Sequence, residues 1–379
     1  MGARSAQWEV TTQPTGADHG PTRTVPAAYD HLRSSVPDLG VWSAQRLALL
    51  VTGMLLARHT ALPRIAAQLR RVTPSAQADS IERRLRRILA HTDWNASVIF
   101  ESVVRVSLQQ LPAGQCVLVL DDTQQTTHCT LSTLALAYRG RALPLAWCRW
   151  SGQLHGAYWE QIDQLFDQAQ RLLPPQVQPV VLADRGLASP ALIRLIQQHG
   201  WDYLVRVQRD TTLRGSRSAP RVHLGELIQR PGAPSVVSDG WVFINRSVWA
   251  HTAAVWRVKY QEPWLLVSNL DLGLELADLY AKRMHVETLF RDAKSGAFEW
   301  ELSRVLQPER AQRLLLAIML AVWCGVLLGE ASIRAGEIPA YGRRDHAVSL
   351  LRRGLDWLAA PTQPRFFRWM LAPPKTVRI

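Results

Sequence analysis

The chain has 379 residues, 47% hydrophobic and 20% charged, enough to bury one large core or two or three smaller ones. That composition excludes a disordered chain, and four cysteines without a CxxC pair or zinc spacing exclude a disulfide scaffold and a Cys/His zinc module. The formal net charge of +13 favours a polyanionic partner, nucleic acid ahead of a membrane surface.

Residues 1–38 mix Gly, Pro, Ser, Thr and isolated charges without periodicity and read as a flexible leader. No basic-then-apolar signal opens the chain, and unpaired cysteines in apolar runs fit a reduced, cytoplasmic compartment. Helical patterns follow over Ala44–Ala57, Leu62–Arg71, Ser80–Leu89 and Ala96–Leu111, giving a helical N-terminal domain over 39–112. In its third helix Ile81, Leu85 and Ile88 share one face, while Arg83, Arg84, Arg86 and Arg87 crowd the others. Those arginines suit DNA phosphates and equally suit a solvated helix face.

At Gly114 the rhythm changes to period two. Strands are expected at Gln115–Leu120, ending on Asp121-Asp122-Thr123, at Leu131–Tyr138 and at Ala142–Trp147, the last two joined by a hairpin at Arg139-Gly140-Arg141. A helix over Tyr158–Leu173, a strand over Pro179–Ala183 ending on Asp184-Arg185-Gly186, a helix over Pro190–His199 and a strand over Tyr203–Val207 complete the first part of the core, 113–209. This order gives an α/β fold, a mixed five-stranded sheet covered by helices. Short strands at Ser235–Ser238, Trp241–Ile244, Ala253–Lys259 and Trp264–Ser268 read as a β-rich insertion over 210–272. The second part of the core, 273–330, ends in a long apolar helix over Pro308–Gly329, whose most apolar run, Leu314–Gly329, is too short and too closely flanked by charge to span a bilayer comfortably. The tail, 331–379, is basic and helical, with aromatic residues among its arginines.

The stretch Leu279–Ser295 lacks Pro and Gly and reads as a continuous helix. At helical spacing Tyr280, Arg283, Glu287 and Lys294 share an arc of roughly 60°, beside a face of Val286, Leu289, Phe290 and Ala293. One carboxylate, two cations and a phenol suit a phosphate held next to a metal; ordinary i,i+4 ion pairs on a wet face are the plainer alternative. Asp121 and Asp184 each follow an apolar strand, where a carboxylate points into the crevice beside the sheet. With Glu287 they form an oxygen-only set suited to Mg²⁺ or Mn²⁺, and two such ions serve in-line phosphoryl transfer. Asp122 competes with Asp121, because alternation lets only one of the two face the metals.

In these motifs the chain resembles a DDE-type transposase of a bacterial insertion sequence, from the branch with a Y-x2-R-x3-E-x6-K signature. Tyr280, Arg283, Glu287 and Lys294 meet the signature in full, Asp121-Asp122-Thr123 matches the D-x-T motif, and Asp184-Arg185 the second aspartate's context. The resemblance implies a ribonuclease-H-like core with a β-strand insertion and a helical N-terminal region contacting the element's ends. It implies that Asp121, Asp184 and Glu287 bind two Mg²⁺ or Mn²⁺ ions, and that Tyr280, Arg283 and Lys294 hold DNA phosphates. D-x-T favours Asp121 over Asp122. The expected activity is cleavage at the element's terminal inverted repeats and transfer of the 3′-hydroxyl ends to target DNA, by a homodimer in the DNA complex, in the bacterial cytoplasm at the nucleoid and without a membrane. A nuclease of the same fold without strand transfer, and a catalytically silent DNA-binding descendant, are the alternatives. Further candidates for DNA contact are Arg83, Arg84, Arg87 and Arg185, the last with a carboxylate pair as its alternative, and Trp300 with Phe298 against a displaced base, although packing is the favoured reading for these two rings. His128 and His155 could reach the crevice through loops.

Overall fold

The computed structural model describes residues 41–72, 77–91, 96–109, 111–126, 129–151, 157–216, 218–305, 307–334, 336 and 348–359. The leader, His128, His155 and most of the basic tail lie outside these residues. The chain divides into two compact units, residues 1–113, 172–177 and 295–379, and residues 114–171 and 178–294.

The first unit is helical. Helices α1 (Val41–Ala57), α2 (Leu62–Val72), α3 (Ala78–Ala90) and α4 (Ala96–Leu108) follow the predicted apolar periodicities to within three residues at either end. In α3 the residues Ile81, Leu85, Ile88 and Leu89 are buried, as a 3.6-residue period requires. After the β-containing unit the chain returns to form α9 (Pro308–Arg334) and α10 (Leu350–Leu358). Helix α9 is long and apolar enough to cross a membrane, yet 72% of its most apolar window is buried within the protein, which makes it the axis of a core. The Arg313 side chain is buried on it, its Nε donating to the Leu89 carbonyl at 2.6 Å. Ser349 caps α10, its Oγ accepting from the Arg352 amide at 3.2 Å. Helix α10 lies against α9 backbone to backbone: a Cβ on Gly354 would stand 1.9 Å from the Gly325 carbonyl oxygen, and one on Gly329 2.0 Å from that of Leu350.

Among the described residues the second unit is built on one ten-stranded sheet in the order β3-β2-β1-β4-β5-β10-β9-β8-β6-β7. Strands β1 (Gly114–Thr126), β2 (Cys129–Tyr138) and β3 (Arg141–Ser151) form an antiparallel meander. Arg139 and Gly140, with φ of 45° and 77°, turn β2 into β3, the two-residue hairpin with positive φ at both positions. The outermost position of β3 lets it carry Pro144 opposite Ala135. Helix α5 (Tyr158–Leu172) leads to β4 (Val177–Ala183), and α6 (Pro190–Gln198) leads to β5 (Asp202–Arg206), which lies parallel to β4 with Ala183 beside Val205. Pro190 in the first turn and the Ser189 Oγ, accepting from the Leu192 amide at 3.2 Å, start α6. The order β3-β2-β1-β4-β5, a meander followed by helical crossovers, is the mixed, helix-covered sheet expected of the core.

Three expectations are revised. The sheet has ten strands, because the insertion's strands β6 (Thr212–Arg214), β7 (Val222–His223), β8 (Val236–Val242), β9 (Val248–Val255) and β10 (Trp264–Ser268) extend it: β10 pairs antiparallel with β5, Leu266 opposite Arg206. Ser235–Ser238 and Trp241–Ile244 merge into the single strand β8. Asp239-Gly240 does not turn there, because Gly240 pairs with Ala250 and lets β6 come close; a Cβ on it would meet the Arg214 carbonyl oxygen at 2.6 Å. Third, β1 does not end at Asp121, which is paired with Thr133 in mid-ladder. Backbone pairing with β2 carries the strand through polar residues that lack an apolar signature.

The signature stretch is also not one regular helix. Helix α7 (Glu275–Ala281) passes through a 3₁₀ turn at Lys282–Met284 into α8 (His285–Arg291), and the chain widens into a π-turn at Asp292–Gly296. The tight and the wide turn shift the 100° progression on either side of α8. Its inner side nevertheless carries the expected Val286, Leu289 and Phe290.

Candidate active site

Asp121, Asp184 and Glu287, from β1, the end of β4 and α8, converge on one side chain, Arg283. Its Nη2 donates to Asp121 Oδ2 at 2.9 Å and stands 3.9 Å from Asp184 Oδ2, and its Nη1 donates to Glu287 Oε1 at 2.6 Å. Tyr280 is 2% exposed, and its hydroxyl donates to Asp184 Oδ1 at 3.0 Å. The Lys294 ammonium donates to the carbonyl of Gln124 on β1, the reach of the π-turn just beyond α8. All six predicted residues therefore share one corner of the sheet. The alternation of β1 separates the two candidate aspartates: Asp121 faces Arg283, while Asp122 accepts from the Tyr158 hydroxyl at 3.0 Å.

Burial pushes the Asp121 carboxyl up to about 6, against the opposing pull of Arg283. Burial also lifts the Tyr280 phenol well above its ordinary value, with Asp184 adding to it; the hydroxyl stays protonated and keeps its proton to donate to Asp184. For Arg283, burial works against the charge, but Asp121 and Asp184 outweigh it and raise the guanidinium above its usual value. The centre is thus three carboxylates around one permanent cation.

An oxygen-only donor set from two strands and a helix fits a hard divalent cation. The carboxylates are spread around a guanidinium that already acts as their counter-charge, so a cation would take over contacts Arg283 now makes. Among the described residues, Asp163, Asp167 and His199 also group their ligand atoms, within 4.8 Å of one another. They lie on α5 and before β5, towards the opposite end of the strands from Asp184. The His199 Nδ1 and Nε2 there are already hydrogen-bonded to Gln170 and Asp163, at 3.0 and 2.8 Å.

Two neighbours were not legible in the sequence. Arg206, at the end of β5, places Nη1 3.8 Å from Asp184 Oδ1 and Nη2 3.0 Å from Glu262 Oε2. Glu262 also accepts from Arg185 Nη1 at 2.5 Å, so Arg185 is engaged by a carboxylate. The signal for Arg206 was register: with Ala183 beside Val205, Asp184 comes next to Arg206.

The outlying DNA candidates fare differently. Trp300 and Phe298 are 1% and 0% exposed, which leaves neither ring a face for a base; packing accounts for both. Arg83 turns its Nε back to the Asp79 carbonyl at 3.4 Å. Arg84 and Arg87 remain exposed and line a cavity of about 500 Å³ with Arg46, Ile88 and His91.

Residues 158–324 match the family model described as the transposase DDE domain. The matched stretch includes Asp184, Tyr280, Arg283, Glu287 and Lys294 and begins after Asp121. Among solved structures the chain is similar to the piggyBac transposase synaptic complex with hairpin DNA, determined by cryo-EM, at 12% identity and a TM-score of 0.42, over 97% of this chain and 76% of that one. No curated protein matches the chain.

Proposed function

We propose that this protein is a DNA transposase that cleaves at the ends of an insertion sequence and transfers the 3′-hydroxyl ends to target DNA. The observation that carries this reading is the convergence of Asp121, Asp184 and Glu287 on Arg283, four residues in the pattern of the Y-R-E-K branch, three of them within the stretch similar to a transposase DDE domain. Asp121, Asp184 and Glu287 would hold Mg²⁺ or Mn²⁺, two ions per site, and such ions would supply activation of an attacking water or 3′-hydroxyl and charge stabilisation of the leaving oxygen in an in-line displacement.

The protein's own groups supply position and charge. Tyr280, buried with its hydroxyl on Asp184, orients that carboxylate, a role its geometry favours over direct phosphate binding. Arg283 exchanges carboxylates for a DNA phosphate as the site loads, and Lys294, at the edge of β1, takes a second phosphate. Duplex DNA, as element ends and as target, is the partner; joining two ends calls for two protomers, and the setting is the bacterial cytoplasm at the nucleoid.

The test is incubation with Mg²⁺ and a duplex carrying the terminal repeats that flank the gene, plus a plasmid target. A transposase joins donor to target. Cleavage without joining identifies a nuclease, and binding without cleavage a silent descendant.

A further inference from the structure

The loop between β9 and β10, residues 256–263, is bound to the corner of the sheet that carries Asp184. Glu262 accepts from both Arg185 and Arg206, and Arg206 also donates to the Pro263 carbonyl at 3.2 Å. A line of rings runs from the loop to the carboxylate centre. Tyr260 stacks on Trp264 with centroids 4.5 Å apart, and Trp264 meets the edge of Tyr280 at 5.1 Å. Tyr280 in turn donates to Asp184. The loop is internally braced, the Trp256 Nε1 donating to the Tyr260 carbonyl at 3.0 Å and the Tyr260 amide to that of Arg257 at 2.9 Å.

Cations stand on these rings. Lys259 Nζ lies 5.7 Å from the Tyr260 centroid, the Arg257 guanidinium 6.0 Å from the same ring, and the Arg209 guanidinium 5.6 Å from that of Trp256. Arg257 is paired with Asp278 at 2.7 Å. Lys259 and Arg209, both exposed, have no carboxylate partner among the described residues, and Val258 between the loop's two cations is 79% exposed. Ring faces place the charges without consuming their N–H donors. Because its faces are already taken by Trp264 and the cations, Tyr260 has none left for a base, and the exposed chemistry is phosphate-binding.

We infer that this loop is a second nucleic-acid contact, in which Lys259 and Arg209 take backbone phosphates of the DNA strand that passes the carboxylate centre. The inference rests on the transposase reading for its partner and adds a surface outside the signature residues. Phosphate neutralisation releases counterions, so each such contact adds about 0.9 to the slope of log K against log salt.

The experiment is a salt titration of duplex binding by the full chain and by the double variant Lys259→Ala/Arg209→Ala. The slope should fall by about 2 in the variant. As a second measurement, Val258→Cys carrying a photocrosslinker should crosslink to the bound duplex. An unchanged slope together with no crosslink overturns the inference and leaves the transposase reading intact if the wild type cleaves and joins DNA. A wild type that binds through the loop but neither cleaves nor joins defeats the transposase reading and keeps this one. A wild type that does not bind DNA defeats both.

Discussion

Arg283 Nη2 and Asp121 Oδ2 lie 2.9 Å apart, with side chains 12% and 14% exposed, and the same guanidinium also serves Glu287 and Asp184. Removing one member of a buried ion pair strands the other, at about 3 kcal/mol. Arg283→Ala should therefore lower the melting temperature in the absence of divalent ions. Mn²⁺ should then raise it more in the variant than in the wild type, because the ion replaces the lost counter-charge. Scanning fluorimetry with and without Mn²⁺ reads both effects, and equal responses in the two proteins contradict the arrangement.

Burial holds the Asp121 carboxyl near pH 6 rather than at the ordinary 3.8. A group whose folded pKa is raised binds more protons in the folded state between those values, so its contribution to stability falls as pH rises through that window. For a cation the sign is the reverse. Below about pH 6 it must displace a proton, and Mn²⁺ affinity should drop about tenfold per pH unit, a dependence that calorimetric titration between pH 5 and 8 measures. Constant affinity down to pH 5 would argue against Asp121 as a ligand.

The opposite faces taken by Asp121 and Asp122 separate their roles. Asp122→Asn should retain metal-dependent cleavage, and Asp121→Asn should abolish it. Tyr158→Phe, which removes the donor to Asp122, should cost about 1–2 kcal/mol of stability in denaturant titration while leaving cleavage measurable.

The crossing of α9 and α10 depends on bare backbone. Gly354→Ala drives a methyl into the Gly325 carbonyl and should destabilise the protein by about 2 kcal/mol or more. An unchanged melting temperature would show that the helices can part without cost.

What the sequence made legible follows from the range of each physical signal. Leu85 and Ile88 mark a helix face, and Val180 to Ala183 a buried strand, through local spacing. Tyr280, Arg283, Glu287 and Lys294 were found together because one short stretch carries all four. Pairing between distant segments leaves no such trace. Nothing near Trp264 announces that β10 will lie beside β5, so the insertion read as separate from the sheet it extends. Thr123 and Gln124 are polar, and only their pairing with Leu131 and Thr130 keeps β1 going past Asp121. Arg206 needed the register of β4 on β5, and the 3₁₀ and π turns flanking α8 show no breaker residue before Gly296.

The central claim is that Glu287 completes a metal-binding carboxylate centre for DNA strand cleavage and joining. Glu287→Gln keeps the side chain's shape and removes its charge, so it bears on that claim most directly. With a terminal-repeat duplex and Mg²⁺, the variant should bind DNA close to wild-type strength and yield neither cleaved nor joined product. Cleavage at the wild-type rate by Glu287→Gln would contradict the account.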